Sequence, residues 1–165
     1  MSPKIRPAPA VSEVPQAPAE RISLRPAQPA DLDAICAIAK SSHFSAQWAH
    51  GQYQEEIEKK DSCLAVCGDG DVCGYILVRK VLPEAQILDM AVRRAEQGRG
   101  LGKALLEHVQ SQARAWGCAK LCLEVSANNE PAQRLYVRAG FLVVGRRRKF
   151  YNDGSDAILM DRLLA

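Results

Sequence analysis

Residues 97–103 read Gln97-Gly98-Arg99-Gly100-Leu101-Gly102-Lys103, alternating glycines beside two cations. Glycine lets a backbone approach a ligand without a Cβ in the way. The run separates a strand-like segment from one of helical periodicity. Such a junction aims backbone N–H groups and the positive helix end at one spot, where a phosphate or pyrophosphate fits. Three readings compete. A P-loop requires Gly-Lys-Ser/Thr after four intervening residues, but here Ala104 follows Lys103 and the glycine spacing is wrong. A dinucleotide fingerprint requires Gly-x-Gly-x-x-Gly in a parallel βαβ unit; Gly98-Arg99-Gly100 fits its start, but position 103 is Lys and the strands before it look antiparallel. A glycine-rich turn without any ligand is the default for a lone triplet.

The surrounding elements decide how this loop is presented. Ile22–Arg25 reads as a short strand, and Pro29-Ala30-Asp31 opens a helix with Leu32, Ile35 and Ala39 on one face. A second helix is expected over Trp48–Lys59, weakened by Gly51. Ser62–Cys67, Val72–Val81 and Ala85–Val92 read as antiparallel strands, the first two joined by the turn signal Gly68-Asp69-Gly70-Asp71. From Leu101 to Trp116 the apolar period becomes helical, and Gly117 suits a left-handed cap. Lys120–Val125 is a strand with Leu121, Leu123 and Val125 on one face and Cys122 and Glu124 on the other. A short helix with Pro131 in its first turn runs to Ala139, and strands follow over Phe141–Arg148 and Asp156–Leu164. The order predicts one mixed α/β (α+β) domain over residues 21–165, without internal repeats.

Composition narrows the classes. Net charge is +3 across 165 residues, too weak to argue for a nucleic-acid partner. No apolar run approaches the ~20 residues of a membrane span, and no secretory signal is recognisable, so a cytoplasmic location and no membrane partner are expected. Residues 1–20 carry Pro at 3, 7, 9, 15 and 18 with little apolar mass, and read as a disordered Pro/Ala-rich tail. The six cysteines form no Cys-x-x-Cys pair and have no His at ligand spacing. They read as small buried hydrophobes, and no metal is expected. Arg146-Arg147-Arg148-Lys149 reads as a solvated strand end.

The spacing Gln-x-x-Gly-x-Gly, Gln97 to Gly102, resembles the coenzyme-A loop of the GNAT acetyltransferase superfamily. Asp89-Met90-Ala91-Val92 resembles the strand that precedes it there. Asn129, Ala132, Leu135-Tyr136 and Ala139-Gly140-Phe141 match the second signature, Asn-x-x-Ala-x-x-Leu-Tyr-x-x-x-Gly-Phe. The resemblance covers about residues 21–164. It implies a mostly antiparallel central sheet flanked by helices, and acetyl-coenzyme A as co-substrate. Within the superfamily, Ile87–Val92, Leu121–Val125 and Tyr151–Met160 resemble the bacterial ribosomal-protein-alanine N-acetyltransferases (RimI-type). Arg93-Arg94-Ala95 departs from the Asp/His-Pro pair common after the strand, which alters the loop's approach but not its backbone-mediated contacts.

That resemblance implies roles for particular residues. The pyrophosphate falls to Gln97, Gly98, Arg99, Gly100, Leu101, Gly102 and Lys103, and an oxyanion-binding N–H to Met90, Ala91 or Val92. Asn129 would meet the pantetheine arm, or cap the helix before Pro131, or both. Glu124 would be the general base. An α-amine titrates near 7.7–8.0 and a Glu near 4.3, so this carboxylate needs burial or a bridging water to serve. From pattern alone it is an ordinary strand Glu. Tyr136 would act as general acid toward the departing thiolate, an uphill transfer from a phenol of about 10 to a thiol of about 8.5. Its plain reading is a core residue packed on Phe141. An acetyl-Cys122 intermediate is not expected, His108 reads as packed on the apolar face of its helix, and His43 and His50, which flank a region that could line the acceptor cleft, are assigned no role. The acceptor implied is a peptide or protein N-terminus, that of a small-subunit ribosomal protein beginning with alanine, on a monomer or weak dimer. A small-molecule amine acceptor, other protein N-termini and a non-catalytic acyl-coenzyme-A-binding module are the alternatives.

Overall fold

A computed structural model describes residues 22–164. The expected tail over residues 1–20, and both end residues of the expected domain, lie outside the described residues. In chain order the elements are strand β1 (Ser23–Pro26), helices α1 (Leu32–Ser41) and α2 (His50–Glu58), and strands β2 (Ser62–Asp69), β3 (Asp71–Val81) and β4 (Glu84–Val92). Helix α3 (Leu101–Ala115), strand β5 (Lys120–Ser126), helix α4 (Glu130–Arg138) and strands β6 (Leu142–Arg147) and β7 (Ala157–Leu163) complete them. Each element expected from the sequence is present, with ends moved by a few residues. Helix α2 starts at His50 rather than Trp48, because Ala49 is extended and its N–H is met by Gln52 Oε1 at 2.8 Å. Strand β2 runs on to Asp69, since Gly70 at φ 81° makes the turn alone.

The strands form one sheet in the order β1-β2-β3-β4-β5-β7-β6. Every neighbouring pair is antiparallel except β4 with β5, the pair linked by the α3 crossover. Helix α3 buries Leu101, Leu105, Leu106, Val109 and Ala113 against Ile76, Val78, Ile87, Leu121 and Leu123 on one face. Each fully buried Leu contributes about 1.5–3 kcal/mol, so this seam anchors α3 and the loop at its start. Helices α1 and α2 cover the other face, with Leu32, Ile35, Ile38 and Tyr53 against Leu64, Val66, Tyr75, Leu77 and Ala91. All six cysteines are free and none is exposed, as apolar packing residues would be. No helix among the described residues is long and apolar enough to cross a membrane.

One irregularity matters most for function. Strand β3 pairs Leu77 with Asp89 but Val78 with Ile87, so Leu88 is an extra residue in β4. A bulge bends its strand. The parallel ladder between β4 and β5 runs from Glu84↔Lys120 to Ile87↔Leu123 and stops where the bulge begins. Past that point β4 continues through Val92 and β5 through Ser126 without pairing, leaving a gap in the middle of the sheet.

Candidate active site

The gap is lined by backbone on one side and by Glu124 on the other. Arg93 N–H donates to Cys73 O of β3 at 2.7 Å. N–H directions alternate along a strand, so those of Met90 and Val92 point away from β3, toward the gap, and that of Ala91 points at β3. Ala91 keeps its side chain in the core under α1 and α2. Of the three oxyanion candidates, Met90 and Val92 therefore present a donor and Ala91 does not. Glu124 is the first β5 residue beyond the last β4–β5 pair.

The glycine loop closes one end of the gap. Gly98 and Gly100 both have φ of 82°, and a Cβ on either would meet nothing within 4 Å. They supply a left-handed backbone that leaves open space in front of it. Gly102 differs: a Cβ there would come within 2.9 Å of Leu135 Cδ2, so its glycine lets the first turn of α3 pack on α4. The N-cap of α3 has no side-chain partner. Among the described residues, no group accepts from the N–H of Gly100, Leu101, Gly102 or Lys103. Four such donors at the positive end of a 15-residue helix have the arrangement that suits an anion. Gln97 Nε2 reaches back to Val92 O at 3.2 Å and ties the loop to the gap. Arg99 pairs with Glu96, and Lys103 lies 3.8 Å from Glu107 on the exposed helix surface.

Helix α4 brings the second signature to the same place. Asn129 caps it, its Oδ1 accepting from Ala132 N at 3.3 Å, so the capping role is present, and among the described residues nothing accepts from its amide NH2. Gln133 Nε2 donates to Ser126 O and Ala127 O at 3.0 Å each, fastening α4 to the end of β5. Tyr136 packs edge-to-face on Phe141 at 5.8 Å, and among the described residues nothing hydrogen-bonds its hydroxyl. Burial pushes this phenol above its ordinary range, and the charges of Asp89 and Tyr151 add to the shift. The Tyr136 hydroxyl is therefore protonated at neutral pH and available as a neutral donor.

Glu124 remains open to water, its side chain 34% exposed, with Arg147 Nη2 at 3.5 Å. Of the two routes by which this carboxylate could serve as a base, its exposure is compatible with a bridging water and not with burial. Arg147 comes from the basic run read as a solvated strand end, and it also lies 5.5 Å over the Phe150 ring. Cys122, on the same face, donates to Glu84 Oε2 at 3.3 Å, and burial with that contact pushes its thiol up to about 12. A nucleophilic thiolate is thereby disfavoured. His50 lies 3.5 Å from Asp33 and His108 is half-buried on α3.

Residues 32–141 match the Acetyltransferase (GNAT) family. The chain belongs to that family. A curated GNAT relative, the [ribosomal protein bS18]-alanine N-acetyltransferase of Escherichia coli (strain K12), is 33% identical over 133 residues, covering 79% of this chain and 89% of its own length. The N-alpha-acetyltransferase of Sulfurisphaera tokodaii is 29% identical over 151 residues, covering 83% and 90%. The crystal structure of the ribosomal-protein-S18-alanine N-acetyltransferase from Escherichia coli superposes with a TM-score of 0.76 at 28% identity, covering 88% of this chain and 95% of that one. The expected mixed, mostly antiparallel GNAT sheet is the observed one, and the protein is an N-acetyltransferase of a family whose acetyl donor is acetyl-coenzyme A.

This GNAT domain also carries a cluster that sequence reasoning missed. Asp89, 5% exposed on β4, accepts from Tyr53 of α2 at 2.6 Å and Tyr75 of β3 at 2.7 Å. Ser45 and the Ala46 N–H reach its other oxygen at 3.2 Å each. The bulge at Leu88 breaks the strand's alternation and turns Asp89 to the α1–α2 side, a placement that local pattern does not reveal.

Proposed function

We propose that this enzyme transfers the acetyl group of acetyl-coenzyme A to the α-amine of a protein N-terminus, and that its acceptor is the N-terminal alanine of a small-subunit ribosomal protein. The observation that carries the chemistry is the parted β4–β5 pair, with main-chain donors on one edge and Glu124 on the other. The names of the bacterial and archaeal relatives favour a protein α-amine over a small amine.

The steps follow from that arrangement. The amide row of Gly100–Lys103 holds the pyrophosphate, with Gln97, Gly98 and Arg99 shaping its approach, and the unused amide of Asn129 meets the pantetheine arm. The thioester carbonyl lies in the gap. The amine nitrogen attacks it, and its proton passes through water to Glu124. The Met90 or Val92 N–H receives the oxyanion, and fixed backbone donors do this without reorganisation. The C–S bond then breaks. Tyr136 stands on the general-acid side and gives its hydroxyl proton as a hydrogen bond to the departing sulfur. Its raised phenol makes this bond, rather than complete transfer, its contribution.

The test is coenzyme-A release, with the product mass measured, on peptides beginning with alanine and on a panel of small primary amines. Acetylation confined to the peptide α-amine is expected. Turnover of small amines with none on peptides would overturn the acceptor, and binding of acetyl-coenzyme A without turnover of any amine would overturn the enzyme reading.

A further inference from the structure

The Asp89 cluster takes no part in the steps above, yet it buries a carboxyl and two phenols beside the gap. Tyr53 and Tyr75 are fully buried, and their hydroxyl oxygens lie 3.3 Å apart over the same carboxylate oxygen. Ser45 Oγ is 3.0 Å from the Tyr75 hydroxyl. No Lys, Arg or His pairs with Asp89 among the described residues, so neutral donors alone satisfy its carboxyl group. A buried carboxylate is strongly unfavourable unless such bonds are complete. Here they come from α2, β3 and the segment over residues 42–49, and they converge beside the gap.

That segment has no regular structure, and two anchors fix it. One is Gln47, whose Nε2 donates to Ala39 O at 2.6 Å and Ser42 O at 3.0 Å. The other is Asp89, through Ser45 and Ala46. Between the anchors and α1 stand His43 and the exposed Phe44, edge-to-face at 4.9 Å. Phe150 and Tyr151, edge-to-face at 5.1 Å, belong to the β6–β7 connection. Ser45 and Ala46 hang on Asp89, which lies in the stretch of β4 that has parted from β5, so this segment stands at the edge of the gap. Bonds from Ser155 hold the Asp153 carboxyl low, and His43 adds to that effect. Tyr151 in turn feels Glu124, after the larger effect of burial.

We propose that Asp89 is the positioning residue for the acceptor: by gripping Ser45 and Ala46 it sets where His43 and Phe44 stand at the edge of the gap, and so which amine-bearing chain reaches Glu124. This rests on the acetyl-transfer reading of the gap. The residue acts through that segment and touches no reacting atom.

The variants are Asp89→Asn, Tyr75→Phe and Ser45→Ala, measured on the full chain. In Asp89→Asn the KM for an alanine-starting peptide rises about tenfold, the effect of weakening hydrogen bonds to a charged group, while the KM for acetyl-coenzyme A stays within about twofold. Amide hydrogen exchange speeds up over residues 43–48 and is unchanged along β2, β3 and β5. Ser45→Ala, at the segment's own end of the bond, shows the same split at about threefold and serves where Asp89→Asn fails to fold. An unchanged peptide KM, equal rises for both substrates, or exchange quickened across the whole sheet would each overturn the proposal. Wild-type turnover with those results leaves the acetyl-transfer reading standing, whereas absence of wild-type thiol release with any amine overturns both.

Discussion

Tyr136→Phe separates catalysis from packing, because the two roles predict opposite results. The ring is buried against Phe141, and phenylalanine keeps that contact. The hydroxyl bonds to no described group, so its removal breaks no protein hydrogen bond. Stability should therefore stay within about 0.5 kcal/mol, a Tm change of about 2 °C or less for a chain this long. In the reaction the hydroxyl donates to a sulfur that gains negative charge. A hydrogen bond to a charged group contributes about 1.5–3 kcal/mol, so kcat should fall about 10- to 150-fold. The assay is coenzyme-A release at saturating acetyl-coenzyme A across several peptide concentrations, beside thermal unfolding of both proteins. A Tm drop of more than about 5 °C would mark Tyr136 as a core residue whose hydroxyl has a structural task. An unchanged kcat with unchanged Tm would remove it from the chemistry.

Three further outcomes are expected. Glu124→Gln should lower kcat about 10²- to 10⁴-fold, with acetyl-coenzyme A affinity preserved in calorimetry; an unchanged kcat would remove it as the base. Cys122→Ser should keep most of the wild-type rate, because a thiol pushed up to about 12 is protonated at the working pH; loss of all turnover would revive a covalent step. Bonds from Lys59, Ser62 and Arg79 outweigh burial and hold the Glu56 carboxyl below its usual range, and Arg25 does the same for Asp31. Stability from lowered carboxyls is complete above their unfolded values near 4 and drains as pH falls below them, so urea titrations should show the loss beginning near pH 4. Glu56→Gln should cost about 2 kcal/mol at neutral pH, with the partners' exposure keeping the cost modest, and should flatten that acid limb.

What was legible in the sequence depended on how local the cause was. Period and punctuation located every strand and helix because each depends on neighbours within a few residues, and Gly98 and Gly100 revealed their backbone need directly. Gly102 looked identical to them but serves Leu135, 33 positions away, a reason that only the packed helices show. Asp89 enters the sequence pattern only as one residue of a strand. Its partners Ser45, Tyr53 and Tyr75 lie 44, 36 and 14 positions away, and the bulge that turns it toward them breaks the alternation a reader would use. Arg147 was hidden differently: a run of four basic residues gives no sign of which one will bend back onto β5.

The gap between β4 and β5 also has a consequence for the protein's lifetime. Where the ladder stops, main-chain groups that neighbouring strands would otherwise satisfy are left at an interior edge, a type of surface that invites other chains to pair with it. A co-substrate seated there covers that edge and binds only the folded chain. By mass action it raises the unfolding free energy by about 2.7 kcal/mol when present at 100 times its Kd. On the proposed reading, thermal unfolding with and without acetyl-coenzyme A should therefore differ, the donor shielding the parted edge as well as feeding the reaction.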